Sequence, residues 1–121
     1  MHVLVLEDEP IIGFALEDML LHIGCHQVSL ATRISEAQQI AREVQLDAAI
    51  LDVNIHGVQS YPVADELAAR RVPYIFATGY GDRAHPDQHR DTLTLTKPYS
   101  IDDIRDGLRT AIERGIQGDA F

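Results

Sequence analysis

The chain has 121 residues, of which 45% are apolar and 24% are charged, and its composition excludes a disordered or fibrous protein. A net charge of −9 argues against direct binding to nucleic acid or to an anionic membrane. We expect a cytoplasmic protein, because a single cysteine excludes an internal disulfide and no apolar run is long enough to span a membrane.

The first part of the chain alternates between strand-like and helix-like segments. His2–Leu6 is a short apolar run that predicts a buried strand. Pro10 suits the first turn of a helix, and Gly24 marks its end. Apolar residues recur between them at helical spacing, namely Ile12, Leu16, Met19 and Ile23. His26–Ala31 predicts a second, weaker strand.

The middle of the chain continues the alternation. Ser35 predicts the N-cap of a second helix. The apolar face of that helix consists of Ala37, Ile40, Ala41 and Val44. Ala48–Leu51 predicts a third strand that is apolar on both faces. Ser60 or Tyr61, followed by Pro62, opens a third helix. The apolar residues of this helix are Ala64, Leu67 and Ala68.

The last part of the chain predicts two more strands and a final helix. The strands are Tyr74–Ala77 and Leu93–Leu95, and Ser100 with Asp103 resembles a capping box. The final helix carries Ile101, Ile104, Leu108 and Ile112 on one face. Between the two strands, Gly79–Asp91 is rich in polar residues, so we expect a fourth helix that is weak, irregular or mobile.

These elements together predict the fold class. Short buried strands that alternate with amphipathic helices are typical of an α/β domain whose parallel sheet is covered on both faces. Right-handed crossovers then favour a doubly wound, flavodoxin-like sheet of five strands in the order 2-1-3-4-5. We expect a single domain over residues 1–121 with no separate output domain.

Polar side chains of complementary kinds stand at the carboxyl ends of the predicted strands, where such sheets bind ligands. Glu7 and Asp8 follow the first strand, Asp52 ends the third, Thr78 the fourth and Lys97 the fifth. Neighbouring carboxylates repel one another by about 1 to 4 kcal/mol per pair in a wet site, and Mg²⁺ would offset this repulsion. Lys97, the only lysine, adds positive charge. The set predicts phosphoryl transfer to Asp52, the nucleophile.

This set of residues resembles the receiver domain of two-component response regulators, and the resemblance covers essentially the whole chain. It implies that Glu7, Asp8 and Asp52 hold Mg²⁺ together with the backbone carbonyl of Asn54. It also implies that a histidine kinase phosphorylates Asp52. The protein would then be a signalling domain that promotes only its own phosphotransfer and dephosphorylation, and not an enzyme with an external substrate.

The same resemblance assigns a switch to the end of the fourth strand. Thr78 would be the switch hydroxyl and Lys97 the catalytic lysine. Typical receivers carry an aromatic switch residue at the position of Thr94, so we expect that either Tyr80 or Tyr99 substitutes for it or the stretch after Gly79 is itself the switch. Tyr80 also stands where family members tune dephosphorylation, and its ring could shield the acyl phosphate from water.

The run 76–81, Phe-Ala-Thr-Gly-Tyr-Gly, is similar to the signature of a subgroup of single-domain receivers in alphaproteobacteria. That subgroup often pairs with histidine kinases of the HWE or HisKA2 class. Signalling would then pass through a protein–protein surface, or the domain would act as a phosphate sink. The downstream partner stays open.

Three other functions are compatible with parts of the pattern. The chain could be a receiver-like interaction module that is never phosphorylated, or a Mg²⁺-dependent phosphatase or Toprim-like enzyme. The latter would need a further Asp-x-Asp pair or a substrate cap, and neither is evident. A flavin-binding module would share the sheet order, but the acidic first loop would repel a phosphate.

Two histidine pairs have a spacing of four residues, His22 with His26 and His85 with His89. Metal binding by either pair is conceivable, but a glycine and a proline interrupt the helical spacing. We interpret both pairs as ordinary surface histidines.

Overall fold

A computed structural model describes residues 1–79, 85–86, 89 and 91–119, without the side chains of residues 116–119. Most of the stretch Gly79–Asp91, for which the sequence predicts a weak or irregular fourth helix, therefore lies outside the described residues. Within the part of the chain that is described, no helix combines the length and apolarity needed to cross a membrane.

A parallel sheet of five strands forms the centre of the molecule. The strands are β1 (His2–Leu6), β2 (Gln27–Ala31), β3 (Ala48–Asp52), β6 (Tyr74–Thr78) and β7 (Thr94–Thr96). Their order is β2-β1-β3-β6-β7, and every neighbouring pair is parallel. The predicted doubly wound order, in which the first strand lies between the second and the third, is confirmed.

Helices cover both faces of the sheet because successive strand residues point to opposite sides. The helices are α1 (Pro10–His22), α2 (Ile34–Glu43), α3 (Tyr61–Ala69) and α4 (Ile101–Asp119). In β1, Leu4 and Leu6 pack with α2 and α3, whereas Val3 and Val5 pack with α1 and α4. The core therefore has two apolar layers, one on each face of the sheet.

A short hairpin follows β3, and sequence reasoning did not predict it. It pairs β4 (Asn54–Ile55) with β5 (Val58–Gln59) in antiparallel register. His56 and Gly57 form its turn with φ angles of +50° and +83°. Positive φ at both central residues matches the twist of a two-residue hairpin. The turn thus folds the chain back beside Asp52.

One local prediction was wrong and one was confirmed. The second helix begins at Ile34, so Ser35 lies inside it and does not cap it. The capping box of α4 is present: the Ser100 N–H donates to Asp103 at 2.8 Å, and the Asp103 N–H donates to Ser100 Oγ at 3.1 Å.

Candidate functional site

The predicted site residues meet at one edge of the sheet, because the carboxyl ends of parallel strands lie together. A cleft of about 410 Å³ opens there, between the loops that follow β1, β3 and β6. Its walls include Asp8, Asp52, Asn54, Thr78 and Lys97. Glu7 lies behind the cleft and is only 3% exposed. The five strand-end residues singled out in the sequence are therefore brought together.

The ammonium group of Lys97 joins two carboxylates. Its Nζ donates to Glu7 Oε1 at 2.6 Å and to Asp52 Oδ2 at 3.0 Å. Burial disfavours the charged lysine, but the hydrogen bonds to both carboxylates outweigh burial and raise its pKa. The Lys97 backbone N–H also donates to the carbonyl of Thr78 at 2.8 Å, which ties this residue to the end of β6. Lys97 is thus a fixed positive charge beside Asp52.

Glu7 has an unusual environment for a carboxyl group. The pKa of Glu7 is raised to about 8: burial is the largest cause, the neighbouring Asp52 adds to it, and Lys97 opposes both effects. One ammonium group serves two carboxylates, so their negative charge is only partly compensated. Glu7 Oε2 is buried and has no hydrogen-bond partner among the described residues. A buried acceptor of this kind is normally satisfied, so the site has room for another positive group.

The hairpin after β3 positions Asp8. The backbone N–H of His56 donates to Asp8 Oδ2 at 3.0 Å, and the turn is held by the Gly57 N–H, which donates to Asn54 Oδ1 at 2.8 Å. Slight burial of Asp8 acts against ionisation, but the bond from His56 and other hydrogen bonds prevail and lower its pKa. Asp8 is therefore an ionised group at the mouth of the cleft.

The three carboxylates form a set that suits a small divalent cation. Glu7, Asp8 and Asp52 each offer one oxygen, and these oxygens lie within 4.8 Å of one another. Hard cations such as Mg²⁺ prefer oxygen ligands and usually take only one or two carboxylates from the protein. The donor set and the unpartnered Glu7 Oε2 fit such an ion. Asn54 lines the same cleft, and its N–H donates to Asp52 Oδ1 at 3.3 Å.

The residues predicted to act as switches lie in different places. Thr78 is 3% exposed and stands at the wall of the cleft. Tyr99 packs against the layer formed with α1 and α4, and burial raises its pKa to about 12. Its hydroxyl is buried without a hydrogen-bond partner in the described part of the chain. Tyr80, the other residue predicted to act as a switch, lies outside the described residues.

The interpretation of His85 and His89 as surface histidines was wrong. His89 is 1% exposed, and His85 is half-buried against the ring of Phe76. Sequence reasoning missed them because their partners come from α3, β6 and β7, which are distant in the chain. The other pair, His22 and His26, is exposed as expected.

Comparison with known proteins places this site in a family. The family model described as "Response regulator receiver domain" matches residues 3–109. The phyllosphere-induced regulator PhyR of Methylorubrum extorquens is 34% identical over 101 residues, which cover 80% of this chain and 38% of PhyR. The chain spans less than half the length of the curated relatives it matches.

Comparison with solved structures supports the same family. The solution structure of SdrG from Sphingomonas melonis is 37% identical, has a TM-score of 0.78 and aligns over 96% of both chains. The receiver domain of a sensor histidine kinase from Pseudomonas aeruginosa, with a magnesium ion coordinated in its active site cleft, has a TM-score of 0.76. That alignment covers 93% of this chain and 97% of the other at 24% identity, which shows the fold alone. The chain belongs to the response regulator receiver domains of two-component signalling systems.

Proposed function

We propose that this receiver domain accepts a phosphoryl group on Asp52 from a phosphohistidine of a histidine kinase, with Mg²⁺ bound at the carboxylate cluster. The observation that carries the proposal is the position of the only lysine. Lys97 Nζ lies 3.0 Å from Asp52 Oδ2 and 2.6 Å from Glu7 Oε1, at the wall of an open cleft. A carboxylate held beside a fixed ammonium can receive a group that brings more negative charge.

The transfer requires that the attacking Asp52 oxygen, the phosphorus and the leaving imidazole nitrogen lie roughly in line. One Asp52 oxygen forms a bond to phosphorus while the bond between phosphorus and the imidazole nitrogen breaks. The imidazole leaves with the electron pair of that bond and takes up one proton. Little covalent chemistry falls to the protein, so positioning and charge stabilisation provide most of the rate.

Each neighbouring side chain then has a defined task. Lys97 stabilises the negative charge of the transferred group, and the Thr78 hydroxyl donates a hydrogen bond to one of its oxygens. Glu7, Asp8 and Asp52 would hold Mg²⁺ together with the backbone carbonyl of Asn54. When bound, Mg²⁺ supplies positive charge that offsets the repulsion between the carboxylates and the incoming phosphoryl oxygens.

We propose the class of the kinase partner from the signature that spans the end of β6. The run 76–81 supports a kinase of the HWE or HisKA2 class, which would place the domain in the cytoplasm. Phosphorylation would change the affinity of a protein surface for a partner, or the domain would drain phosphate from its kinase. A coupling of about 1 to 3 kcal/mol is sufficient for a strong change in partner affinity. We propose neither nucleic acid nor a membrane as a partner, given the net charge of −9.

The main alternative is an interaction module that is never phosphorylated. The open cleft beside Asp52 and Lys97 opposes it, because an interaction module needs neither an accessible carboxylate nor an ammonium group next to it. A phosphatase acting on external esters is opposed by the sequence, in which neither a further Asp-x-Asp pair nor a substrate cap is evident.

An NMR titration with Mg²⁺ and beryllofluoride tests the proposal. Beryllofluoride mimics a phosphoryl group on a carboxylate, so the amide signals around Asp52, Thr78 and Lys97 should shift and saturate. Asp52→Asn should abolish the response, whereas the matched change Asp47→Asn, on an exposed residue just before β3, should preserve it. If the parent shows no shifts, or if Asp52→Asn responds like the parent, the proposed function is wrong.

A further inference from the structure

A buried hydrogen-bond network holds His89 against α3 and β6. His89 Nδ1 lies 2.7 Å from the hydroxyl of Tyr74, and His89 Nε2 lies 2.7 Å from Asp65 Oδ1. His89 is 1% exposed, and its ring stacks on Tyr61 with 5.5 Å between ring centroids. A buried imidazole with both nitrogens bonded is a fixed structural anchor.

His85 makes an equivalent pair of contacts. Its Nδ1 lies 2.7 Å from the hydroxyl of Tyr61, and its Nε2 lies 2.7 Å from Thr94 Oγ1. The ring of His85 is 4.6 Å from that of Phe76 between centroids. We refer to His85 and His89 with their four partners as the histidine latch, the partners being Tyr61, Asp65, Tyr74 and Thr94.

Neutral imidazoles satisfy all of these contacts. A carboxylate can only accept, so His89 Nε2 carries the proton that is donated to Asp65. In a neutral ring, His89 Nδ1 then accepts from the Tyr74 hydroxyl. Thr94 Oγ1 donates to the carbonyl of Thr92 at 3.4 Å, so it accepts from His85 Nε2–H. His85 Nδ1 then accepts from the Tyr61 hydroxyl. Both rings are therefore assigned as the same tautomer.

The histidine latch contacts β6 and β7, whose carboxyl ends lie at the cleft that contains Asp52. Phe76 and Thr94 are partners in the β6–β7 ladder, and Thr78 and Thr96 are the next pair on the same face. His85 bonds to Thr94 and packs on Phe76, so it bridges one ladder pair just behind the pair that holds Thr78. His85 follows Thr78 by only seven positions along the chain.

We propose that the histidine latch is a conformational device that opposes occupation of Asp52, and that it releases when the Thr78 hydroxyl turns to a phosphoryl group on Asp52. The inference rests on the proposed function. Movement of Thr78 toward Asp52 would shift the end of β6 against β7 and so disturb the contacts of His85 with Phe76 and Thr94. Coupling of this kind is reciprocal: if occupation opens the latch, then weakening the latch strengthens occupation.

Two substitutions weaken the latch while changing shape very little. Thr94→Val removes the acceptor of His85 Nε2–H but keeps a branched side chain of similar size. Tyr74→Phe removes the hydroxyl that donates to His89 and leaves its ring in place. His22→Ala is the matched control, because His22 is exposed on α1. Circular dichroism melting establishes that each variant is folded before it is used.

The measurement is the apparent affinity for beryllofluoride in excess Mg²⁺, titrated by NMR for the parent and for each variant. We expect Thr94→Val and Tyr74→Phe to bind at least about fivefold more tightly than the parent, with His22→Ala unchanged. The ring signals of His85 and His89 should also shift on saturation in the parent, whereas those of His22 should not.

The possible failures are distinguishable. If the parent binds beryllofluoride but both variants bind within about twofold of it, or more weakly, the latch does not oppose occupation and only this inference is overturned. If the parent does not bind, the proposed function fails and the inference fails with it. A variant that is unfolded at the temperature of the titration is replaced by His85→Gln. Glutamine keeps hydrogen-bonding groups, but its side chain cannot reach Tyr61 and Thr94 together.

Discussion

Replacing Glu7 by glutamine should remove a pH dependence that folding stability shows in the parent when divalent cations are chelated. The Glu7 side chain is 2% exposed, and burial raises its pKa from an ordinary 4.5 to about 8. Lys97 compensates this only in part, because it also serves Asp52. The folded protein therefore keeps a proton on Glu7 over a pH range in which the unfolded chain has lost it.

The sign and the size of the effect follow from that difference in proton binding. A folded-state pKa above the unfolded one gives stability that is complete below pH 4.5 and is lost as the pH rises to about 8. One pKa unit corresponds to about 1.4 kcal/mol. The parent should lose on the order of 5 kcal/mol of unfolding free energy across this window.

Urea denaturation followed by circular dichroism, with EDTA at about pH 5, 7 and 9, measures this loss. The difference between Glu7→Gln and the parent isolates Glu7, because all other titrating groups are shared. Glu113→Gln, on an exposed residue of α4, is the control and should follow the parent. Mg²⁺ should restore part of the parent's stability at high pH. If Glu7→Gln loses stability with pH as steeply as the parent, the burial argument is refuted.

Three further changes test how local structure supports the fold, each by urea denaturation. Ser100→Ala breaks the capping box of α4 and should cost about 1 kcal/mol; an unchanged midpoint would contradict the cap. Gly57→Ala places a side chain at a φ of +83° where nothing lies within 4 Å, so backbone strain alone should cost about 1 kcal/mol; a stabilised variant would contradict this. Leu67→Ala leaves a cavity at a fully buried position and should cost about 2 to 5 kcal/mol; a loss below about 1 kcal/mol would show that the core relaxes to fill it.

The sequence was sufficient to predict the sheet and the site because both depend on strong, local patterns. Apolar runs marked the long strands, and the polar residue after each run marked the edge where ligands bind. The single lysine and the acidic pair then converged on Asp52, as the contacts of Lys97 show. Their roles in phosphoryl transfer are still a proposal.

What the sequence missed depends on contacts between distant segments. The β4–β5 hairpin has strands of only two residues, too short for an alternating pattern, and its His56-Gly57 turn is not a strong hairpin signal. His89 stands in a polar stretch, and nothing local indicates that Tyr74 and Asp65 will enclose it. The burial of Glu7 is likewise a property of the packed sheet edge.

Intact mass spectrometry after incubation with acetyl phosphate and Mg²⁺ tests whether Asp52 is the phosphoacceptor. We expect a gain of one phosphoryl group that hydroxylamine removes, as expected of an acyl phosphate. Asp52→Asn should abolish the gain, whereas Asp47→Asn should retain it. Absence of any gain in the parent, or a gain that persists in Asp52→Asn, would contradict the assignment of Asp52 as the phosphoacceptor.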